Sequence, residues 1–463
     1  MKTYNLSPSE KNLVETFLKD SIGRTNDVCS FSKLIQETED GCSISIDGQW
    51  GTGKTFFVKQ SKLVLDALNP NVSFSESESA KRIKRKYEEI IGNQEDNPVP
   101  IVTVYYDAWQ HDDEDDPLLS VVYEIMKDNY NNCSDEIVRI WVDILASIAD
   151  VVSDRNITNL LKELKGKNIF EEQKENDDLS QIINRFLDSF LPERGNKLVV
   201  FIDELDRCSP VYAVKLLERI KHYFLNENVI FVFSVNAVEL QKTIRKFYGD
   251  DFDACRYLDR FFDVRPSIPP FDIRRYLSCI GLSDSRNLRE TVCFEVINQM
   301  NMEMREISHF MHMSKMAAFK FTDGDLRKVQ RYNSIDNGVE KIIAFDVILP
   351  LAIGLKMNKS EDYEDFISGK NRMWLERILM SERIGDRVLG MLLAEGESYS
   401  NINGRVLVNK EDKIKALYTA VFVERYEGSK YQTVIGEAYF DKETKNSIIR
   451  AMGLISPFSD ISV

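Results

Sequence analysis

The residues best suited to chemistry lie near the start of the chain, between an apolar run and an amphipathic one. Gly48-Gln49-Trp50-Gly51-Thr52-Gly53-Lys54-Thr55 has the spacing GxxxxGK[ST], in which the glycines let successive backbone N–H groups point at phosphate oxygens. Its lysine suits the β- and γ-phosphates of a nucleoside triphosphate, and its threonine hydroxyl suits Mg²⁺. We therefore predict a phosphate-binding loop.

A second group of candidates follows an apolar run in the middle of the chain. Leu198–Ile202 is followed by Asp203 and Glu204, which is the form of a Walker B strand. We expect Asp203 to bind Mg²⁺ directly or through water, because carboxylates at the end of a parallel strand face the phosphate loop. Glu204 would orient or deprotonate the attacking water. The pair predicts an NTPase that carries its own catalytic carboxylate.

Two polar residues near this edge of the predicted sheet allow two interpretations each. Arg207 could contact a phosphate in this or a neighbouring subunit, or form an ion pair with Asp206. Asn236, directly after an apolar run, could sense the attacking water or the γ-phosphate, or act as a helix N-cap. Both interpretations remain open from the sequence.

Two arginines further along the chain are candidates for responding to the nucleotide. Arg260 is a candidate arginine finger, supplied in trans, or else forms a surface ion pair with Asp259 or Asp263. Arg327, on a predicted helix of a second domain, could report the nucleotide state to that domain.

The elements that must position these residues alternate between strands and helices. A sheet with helices between its strands places the ends of its parallel strands along one edge, and continuous apolar strands indicate burial on both faces. The predicted strands are Cys42–Ile46, Ile101–Tyr106, Lys197–Ile202 and Val229–Val235, and the clearest helices are Thr55–Leu68 and Tyr212–Leu225. The fold class is therefore α/β, a P-loop NTPase parallel sheet with helices on both faces, followed by a mainly helical C-terminal domain.

Pro269-Pro270 is the best domain boundary in the chain. We predict an NTPase domain over residues 1–270, with a polar helical insertion at about 125–190. A helical domain follows over 271–399, and a small mixed α/β region over 400–463. Residues 70–98 are expected to form a polar connection.

The composition limits the function classes. The chain has 463 residues, of which 43% are hydrophobic and 29% charged, so intrinsic disorder is excluded. Its net charge of −15 argues against binding nucleic acid through a global basic field, although a local patch stays possible. We find no uninterrupted apolar run of membrane-spanning length, no signal-peptide pattern and no CxxC pair, and expect a cytoplasmic protein.

Four collinear segments resemble the KAP family of P-loop NTPases. The phosphate loop with its internal Trp50 is one, and Tyr106-Asp107-Ala108-Trp109-Gln110 is similar to the family's strand-end Asn-Ala-Trp segment. Phe201–Cys208 resembles the family's Ile-Asp-Asp-Leu-Asp-Arg-Cys Walker B segment. The segment from Tyr257 to Pro270 resembles its Tyr-Leu-Glu-Lys…Leu-Pro-Pro element.

The resemblance implies an additional-strand P-loop ATPase, related to the STAND and AAA+ classes, that uses ATP and Mg²⁺. Bacterial members are linked to phage exclusion or defence, often beside a partner or effector. The sequence departs from the family pattern at Glu204, Asn236 and Arg260, where Asp, Asp and Lys are commoner. It also lacks the transmembrane insertion that many members carry.

Our interpretation is an ATP-dependent switch that forms a homo-oligomer and acts with a protein effector or sensor. The alternative is a scaffold that binds nucleotide with little or no turnover. The candidate catalytic residues are Lys54, Glu204, Asn236 and Arg260, and Thr55 and Asp203 are the candidate metal ligands. The candidate nucleotide-binding residues are Gly48, Gln49, Trp50, Gly51, Thr52, Gly53, Lys54, Thr55, Phe56 and Arg327.

Two further signals have plainer interpretations. Val406-Leu407-Val408-Asn409-Lys410-Glu411-Asp412 contains NKxD, the guanine-reading sequence of GTPases, but lies far downstream, and we interpret it as a coincidental strand and helix start. Trp109 could stack near the nucleotide pocket or pack against the sheet edge, and we favour the second.

Overall fold

The structure is a computed structural model that describes residues 6–92, 98–114, 116–129, 179–224, 226–282, 287–322, 338–381, 383–401, 404–427 and 431–455. The chain divides into two compact units. One comprises Ser7–Tyr276, and the other comprises Leu277–Val463 together with Met1–Leu6. The predicted division after residues 270 and 399 stays a prediction.

The first unit alternates strands and helices. Its described elements are α1 (Glu10–Lys19), α2 (Thr25–Glu37), β1 (Ser43–Asp47), α3 (Lys54–Leu68), α4 (Glu78–Ile91), β2 (Ile101–Asp107), α5 (Pro117–Asn129), α6 (Leu179–Arg194), β3 (Lys197–Asp203), α7 (Pro210–Tyr223), β4 (Val229–Val235), α8 (Ala237–Tyr248) and α9 (Ala254–Leu258). The boundary between the units falls within α10 (Ile273–Cys279).

Four of these strands form one parallel sheet in the order β1-β4-β3-β2. A short extended segment adds to its outer edge beside β1, where Val264 and Ser267 form parallel bridges with Ile44 and Asp47. The register places Asp107 opposite Asp203, and Asp203 opposite Ser234. Because all strands run the same way, the residues after each strand meet at one carboxyl edge.

Both faces of the sheet are buried, which explains the continuous apolar strands. Alternate side chains point to opposite faces, so Val200 and Ile202 of β3 belong to one core with helices α5–α8. Val199 and Phe201 belong to the other core, with helices α1–α4. β3 therefore packs between two cores, with Asp203 at its carboxyl end.

The four predicted strands are present, each within one residue of its predicted limits. The predicted polar connection at 70–98 contains a helix, α4, because Ala80, Ile83 and Tyr87 form an apolar stripe that packs on the core. The predicted insertion at about 125–190 contributes the end of α5 and part of α6, and residues 130–178 lie outside the described part of the chain.

The second unit is mainly helical. Its described elements are α11 (Leu288–Gln299), α12 (Met304–Thr322), α13 (Gly338–Ile342), α14 (Leu349–Asn358), α15 (Ser360–Ile367), α16 (Met373–Leu379), α17 (Gly385–Met391), β5 (Glu397–Ser398), β6 (Val406–Leu407), α18 (Lys410–Tyr418), β7 (Thr433–Ile435), β8 (Ala438–Phe440) and α19 (Lys442–Ile455). A π-helical turn, Ile343–Ile348, joins α13 to α14.

The NKxD segment is the short strand β6 followed by α18, and Asn409 caps that helix by accepting a hydrogen bond from the Glu411 N–H. Among the described residues, no helix is both long and apolar enough to cross a bilayer. The observed architecture is the predicted one, an α/β parallel sheet covered by helices and followed by a mainly helical unit.

Candidate functional site

The predicted phosphate loop leaves β1 after Asp47 and enters α3 at Lys54. Gly51 and Gly53 have φ angles of 91° and 86°, in the left-handed region that glycine adopts readily. Among the described residues, no side chain caps the start of α3. Its first N–H groups and its positive dipole end are therefore available to an anion.

Lys54 is folded back onto the loop. Its Nζ donates hydrogen bonds to the carbonyl oxygens of Gly48, at 2.6 Å, and Gln49, at 3.2 Å. Burial lowers the pKa of Lys54, and the nearby carboxylates of Asp206 and Asp203 oppose that effect. The Lys54 ammonium thus lies inside the loop. A phosphate group, whose oxygens are stronger acceptors, would compete with the two carbonyl oxygens for this ammonium.

Arg24 contacts the loop through a buried side chain and was not among the residues predicted for the site. Its guanidinium Nη1 donates to the Thr52 carbonyl oxygen at 2.7 Å, and the residue is only 4% exposed. No sequence pattern marks this arginine, because the contact joins residues that only the packing of α2 against α3 brings together.

Asp203 receives several hydrogen bonds at the carboxyl edge. Its Oδ2 accepts from the Thr55 hydroxyl at 2.6 Å and from the Tyr105 hydroxyl at 2.9 Å, while Oδ1 accepts from the Glu204 N–H at 3.0 Å. The carboxylate is buried. The structure therefore brings the two predicted metal ligands, Thr55 and Asp203, into direct contact.

Asp107 was overlooked as a site residue, although it is the last residue of a strand in the sheet. It lies opposite Asp203 in the register, and its Oδ1 is buried without a hydrogen-bond partner among the described residues. Burial, and next the charge of Asp203, raise the pKa of Asp107. A carboxylate oxygen left this way suits a water molecule or a cation.

The oxygen donors fit Mg²⁺. Thr55, Asp203 and Asp107 supply hydroxyl and carboxylate oxygens, which Mg²⁺ prefers. The part of the chain that the structure describes has no group of three or more His, Cys, Asp or Glu residues that could hold a metal by themselves. Mg²⁺ takes one or two protein ligands and completes its shell with phosphates and water.

Glu204 leaves β3 in a left-handed backbone conformation, with φ of 62°. Its carboxylate forms an ion pair with the Arg207 guanidinium, whereas Asp206 accepts a hydrogen bond from Trp50 and forms no ion pair with Arg207 among the described residues. Burial, and next the charge of Asp203, raise the pKa of Glu204 to about 7, while Arg207 opposes the rise. A carboxyl group that titrates near neutrality is suited to accept a proton from water.

Two exposed tryptophans contact the turn that follows Glu204. The Trp50 indole, 46% exposed, donates from Nε1 to Oδ2 of Asp206 at 2.6 Å. The Trp109 ring, 55% exposed, lies 5.5 Å from the Arg207 guanidinium carbon. Trp109 thus packs at the end of β2 against the 3₁₀ turn Leu205–Arg207.

Asn236 is an N-cap. Its Oδ1 accepts from the N–H groups of Val238 and Glu239 at 3.2 and 3.3 Å, so α8 starts directly after β4. The capping interpretation is therefore correct, and the sensor interpretation is left with the Nδ2 group alone, because the amide oxygen is used.

Arg260 lies near the amino ends of the strands, whereas the phosphate loop lies at their carboxyl ends. Asp263 accepts a hydrogen bond from the N–H of Ser43, the first residue of β1, at 2.8 Å. Five residues of strand, roughly 16 Å, separate Ser43 from the phosphate loop. The structure does not bring Arg260 to the nucleotide site of its own chain.

The expected ion pairs of Arg260 are also absent among the described residues. Asp259 pairs instead with Arg265, at 2.8 Å, and the Arg260 side chain is exposed. Among the remaining candidates, Phe56 is buried on α3, Gln49 is exposed, and Arg327 lies outside the described residues.

Comparison with known proteins identifies one family. The family model described as the KAP family P-loop domain matches residues 24–335 of this chain. No curated protein sequence matches the chain significantly.

Solved structures are similar only at a low level. The Aeropyrum pernix ORC2 protein, solved as ADPNP-ADP complexes, is 12% identical, with a TM-score of 0.33 over 93% of this chain and 95% of that one. The ORC1 protein of the same organism, in complex with DNA, is 12% identical, with a TM-score of 0.32 over 96% and 92% of the two chains. Scores this low assign no function.

Proposed function

The chain belongs to the KAP family of P-loop NTPases, and from that premise we propose that it binds and hydrolyses ATP as a nucleotide-dependent switch. The single observation that carries the proposal is the contact between Thr55 and Asp203, from the phosphate loop and the end of β3. These are the two positions from which a P-loop NTPase holds its magnesium ion.

The side chains would act as follows. Lys54 exchanges its two carbonyl partners for the β- and γ-phosphates, and the N–H groups of the loop and of α3 bind phosphate oxygens. Thr55 and Asp203 would hold Mg²⁺, which when bound neutralises charge on the phosphates. Glu204 orients the attacking water and takes its proton, and the Nδ2 group of Asn236 contacts that water or the γ-phosphate.

The switch would act through other proteins. Nucleotide-dependent closure of the helical region, with Arg327 as the proposed reporter, would change contacts with an effector or with another copy of the chain. We propose bacterial antiphage defence as the setting on the family resemblance alone. We expect turnover to be slow or stimulated by the partner, because Glu204 is engaged by Arg207 in this conformation.

The same ion pair favours the second candidate function, a nucleotide-bound scaffold. A glutamate that stays paired to Arg207 cannot direct water at a phosphate, and the protein would then bind ATP without turnover. The two functions differ in whether Glu204 controls a measurable rate.

The test is steady-state ATP hydrolysis with Mg²⁺, together with binding of a fluorescent ATP analogue. We expect Glu204→Gln to bind the analogue like wild type and to lower kcat by about 100-fold or more, because the proton acceptor is lost. Lys54→Ala should lose binding. Glu239→Gln, which removes a partly exposed carboxylate on α8, is the matched control and should be unchanged.

Each outcome decides between the candidates. Binding without turnover, in wild type and Glu204→Gln alike, would support the scaffold. Failure of wild type to bind the analogue would reject both functions.

A further inference from the structure

Arg207 lies between the candidate catalytic carboxylate and an exposed aromatic ring. Its Nε pairs with Oε2 of Glu204, and its guanidinium lies against the face of Trp109. Arg207 and Glu204 keep only 23% and 19% of their side-chain surface exposed, so solvent screens the pair less than a surface ion pair. The three groups form a connected arrangement that we call the Trp109–Arg207–Glu204 chain.

The strand order gives this arrangement a direction. Trp109 follows β2, which is next to β3 at the outer edge of the sheet, whereas the phosphate loop follows β1 on the other side of β4. Two strand spacings, roughly 10 Å, separate β3 from β1. The Glu204 carboxylate is therefore held by a guanidinium that lies against Trp109, on the β2 side of the carboxyl edge.

The backbone of Glu204 adds to this constraint. A non-glycine residue at φ of 62° costs conformational energy and persists only where its surroundings hold it. The Arg207 N–H donates to the Glu204 carbonyl oxygen at 3.1 Å, so both the turn and the ion pair hold Glu204 in this conformation. Release of the ion pair would free the side chain to change rotamer without unfolding the turn.

We propose that Arg207 is a positioning residue that holds the Glu204 carboxylate in an ion pair and so keeps it from directing water, and that Trp109 stabilises this restrained position. Hydrolysis requires the ion pair to open, so the Trp109–Arg207–Glu204 chain sets the basal rate of hydrolysis. The inference rests on the proposed function, since it concerns the residue that directs water there. It assigns to Arg207 a role distinct from contact with a phosphate.

The experiment compares kcat and KM of variants with the wild type. Arg207→Ala should raise kcat by about five- to ten-fold with KM unchanged, because a partly buried ion pair and a cation–π contact no longer restrain Glu204. Arg207→Lys keeps the charge and should stay within about two-fold of wild type. Trp109→Ala should raise kcat less than Arg207→Ala, and Trp109→Phe, which keeps an aromatic face, less still.

Arg219 provides the matched control. It too pairs with a carboxylate, Asp116 at 2.8 Å, and lies 5.5 Å from an aromatic ring, that of Tyr223, but on α7. Arg219→Ala should leave kcat unchanged. The double variant Arg207→Ala/Glu204→Gln should be as slow as Glu204→Gln, because the gain acts only through that carboxylate.

Several results would overturn the inference. A kcat for Arg207→Ala at or below that of wild type would mean that the pairing is productive or without effect. An equal rise in kcat in Arg219→Ala would indicate a general loosening of the fold. Analogue binding without turnover in both wild type and Arg207→Ala would also reject it, whereas absence of binding in wild type rejects the proposed function itself. If Arg207→Ala does not fold, the kcat of Trp109→Ala, at the exposed ring, is compared with that of wild type instead. A value at or below that of wild type would overturn the inference.

Discussion

At the scale of single residues, the site is defined by carboxylates in unequal surroundings. Asp203 accepts three hydrogen bonds, whereas Asp107, beside it in the register, keeps one buried oxygen without a described partner. A partly buried carboxylate next to a like charge is costly, which is why the pKa of Asp107 is raised. A cation or a water molecule at the unpartnered oxygen would offset this cost.

We predict that Asp107→Asn stabilises the nucleotide-free protein. The isosteric amide removes the repulsion with Asp203 and can donate to it, a gain of about 1 kcal/mol that corresponds to roughly 1–2 °C in Tm for a unit of this size. Thermal unfolding without nucleotide measures the effect. Asp113→Asn, at an exposed acid, controls for the change in net charge. An unchanged or lowered Tm would mean that the carboxylate is already satisfied.

At the scale of elements, the junction between β1 and the phosphate loop depends on a close approach to the edge segment. A Cβ at Gly48 would lie 2.5 Å from the Ile268 Cγ2, and its φ is not in the left-handed region. The requirement for glycine at this position is therefore steric. It is set by the segment around Ile268, which lies beside β1 on the outside of the sheet.

We predict that Gly48→Ala weakens binding of a fluorescent ATP analogue by about ten-fold or more, because the methyl group displaces the loop. Ile268→Ala, which removes the clashing group, should bind almost like wild type. The double variant should then recover most of the lost affinity. If the double variant binds no better than Gly48→Ala, glycine is needed for the close approach of a phosphate instead.

At the scale of the whole molecule, the nucleotide site and Arg260 lie at opposite edges of the same sheet. Arg260 is exposed, and the two acids expected to pair with it have other partners. An arginine in this position can reach a nucleotide only on another copy of the chain. A role in hydrolysis therefore requires the proposed homo-oligomer.

We predict that Arg260→Ala abolishes most ATP hydrolysis while its own nucleotide binding persists. Mixing it with Lys54→Ala, which supplies an intact Arg260 but binds no nucleotide, should restore part of the rate, because mixed assemblies contain complete sites. Arg256→Ala, at a neighbouring exposed arginine, is the control. A wild-type rate in Arg260→Ala, or no gain on mixing, would exclude a contribution in trans.

The sequence by itself determined the four strands and the loop between β1 and α3, and it marked Lys54, Thr55, Asp203 and Glu204 as the candidate site residues. These depend on local rules, since spacing places glycines in a turn and an apolar run places a carboxylate at the end of a buried strand. The family follows from the same local segments.

Only the tertiary structure decided which side chains meet. Sequence left Arg207 with two possible partners, and the fold added a third, Glu204, because the turn after β3 brings residues three apart together while Trp109 approaches from β2. Arg24 and Asp107 entered the site in the same way, through packing and strand register between distant segments. Such contacts have no local signature, because they depend on strand order, and strand order is a property of the folded chain.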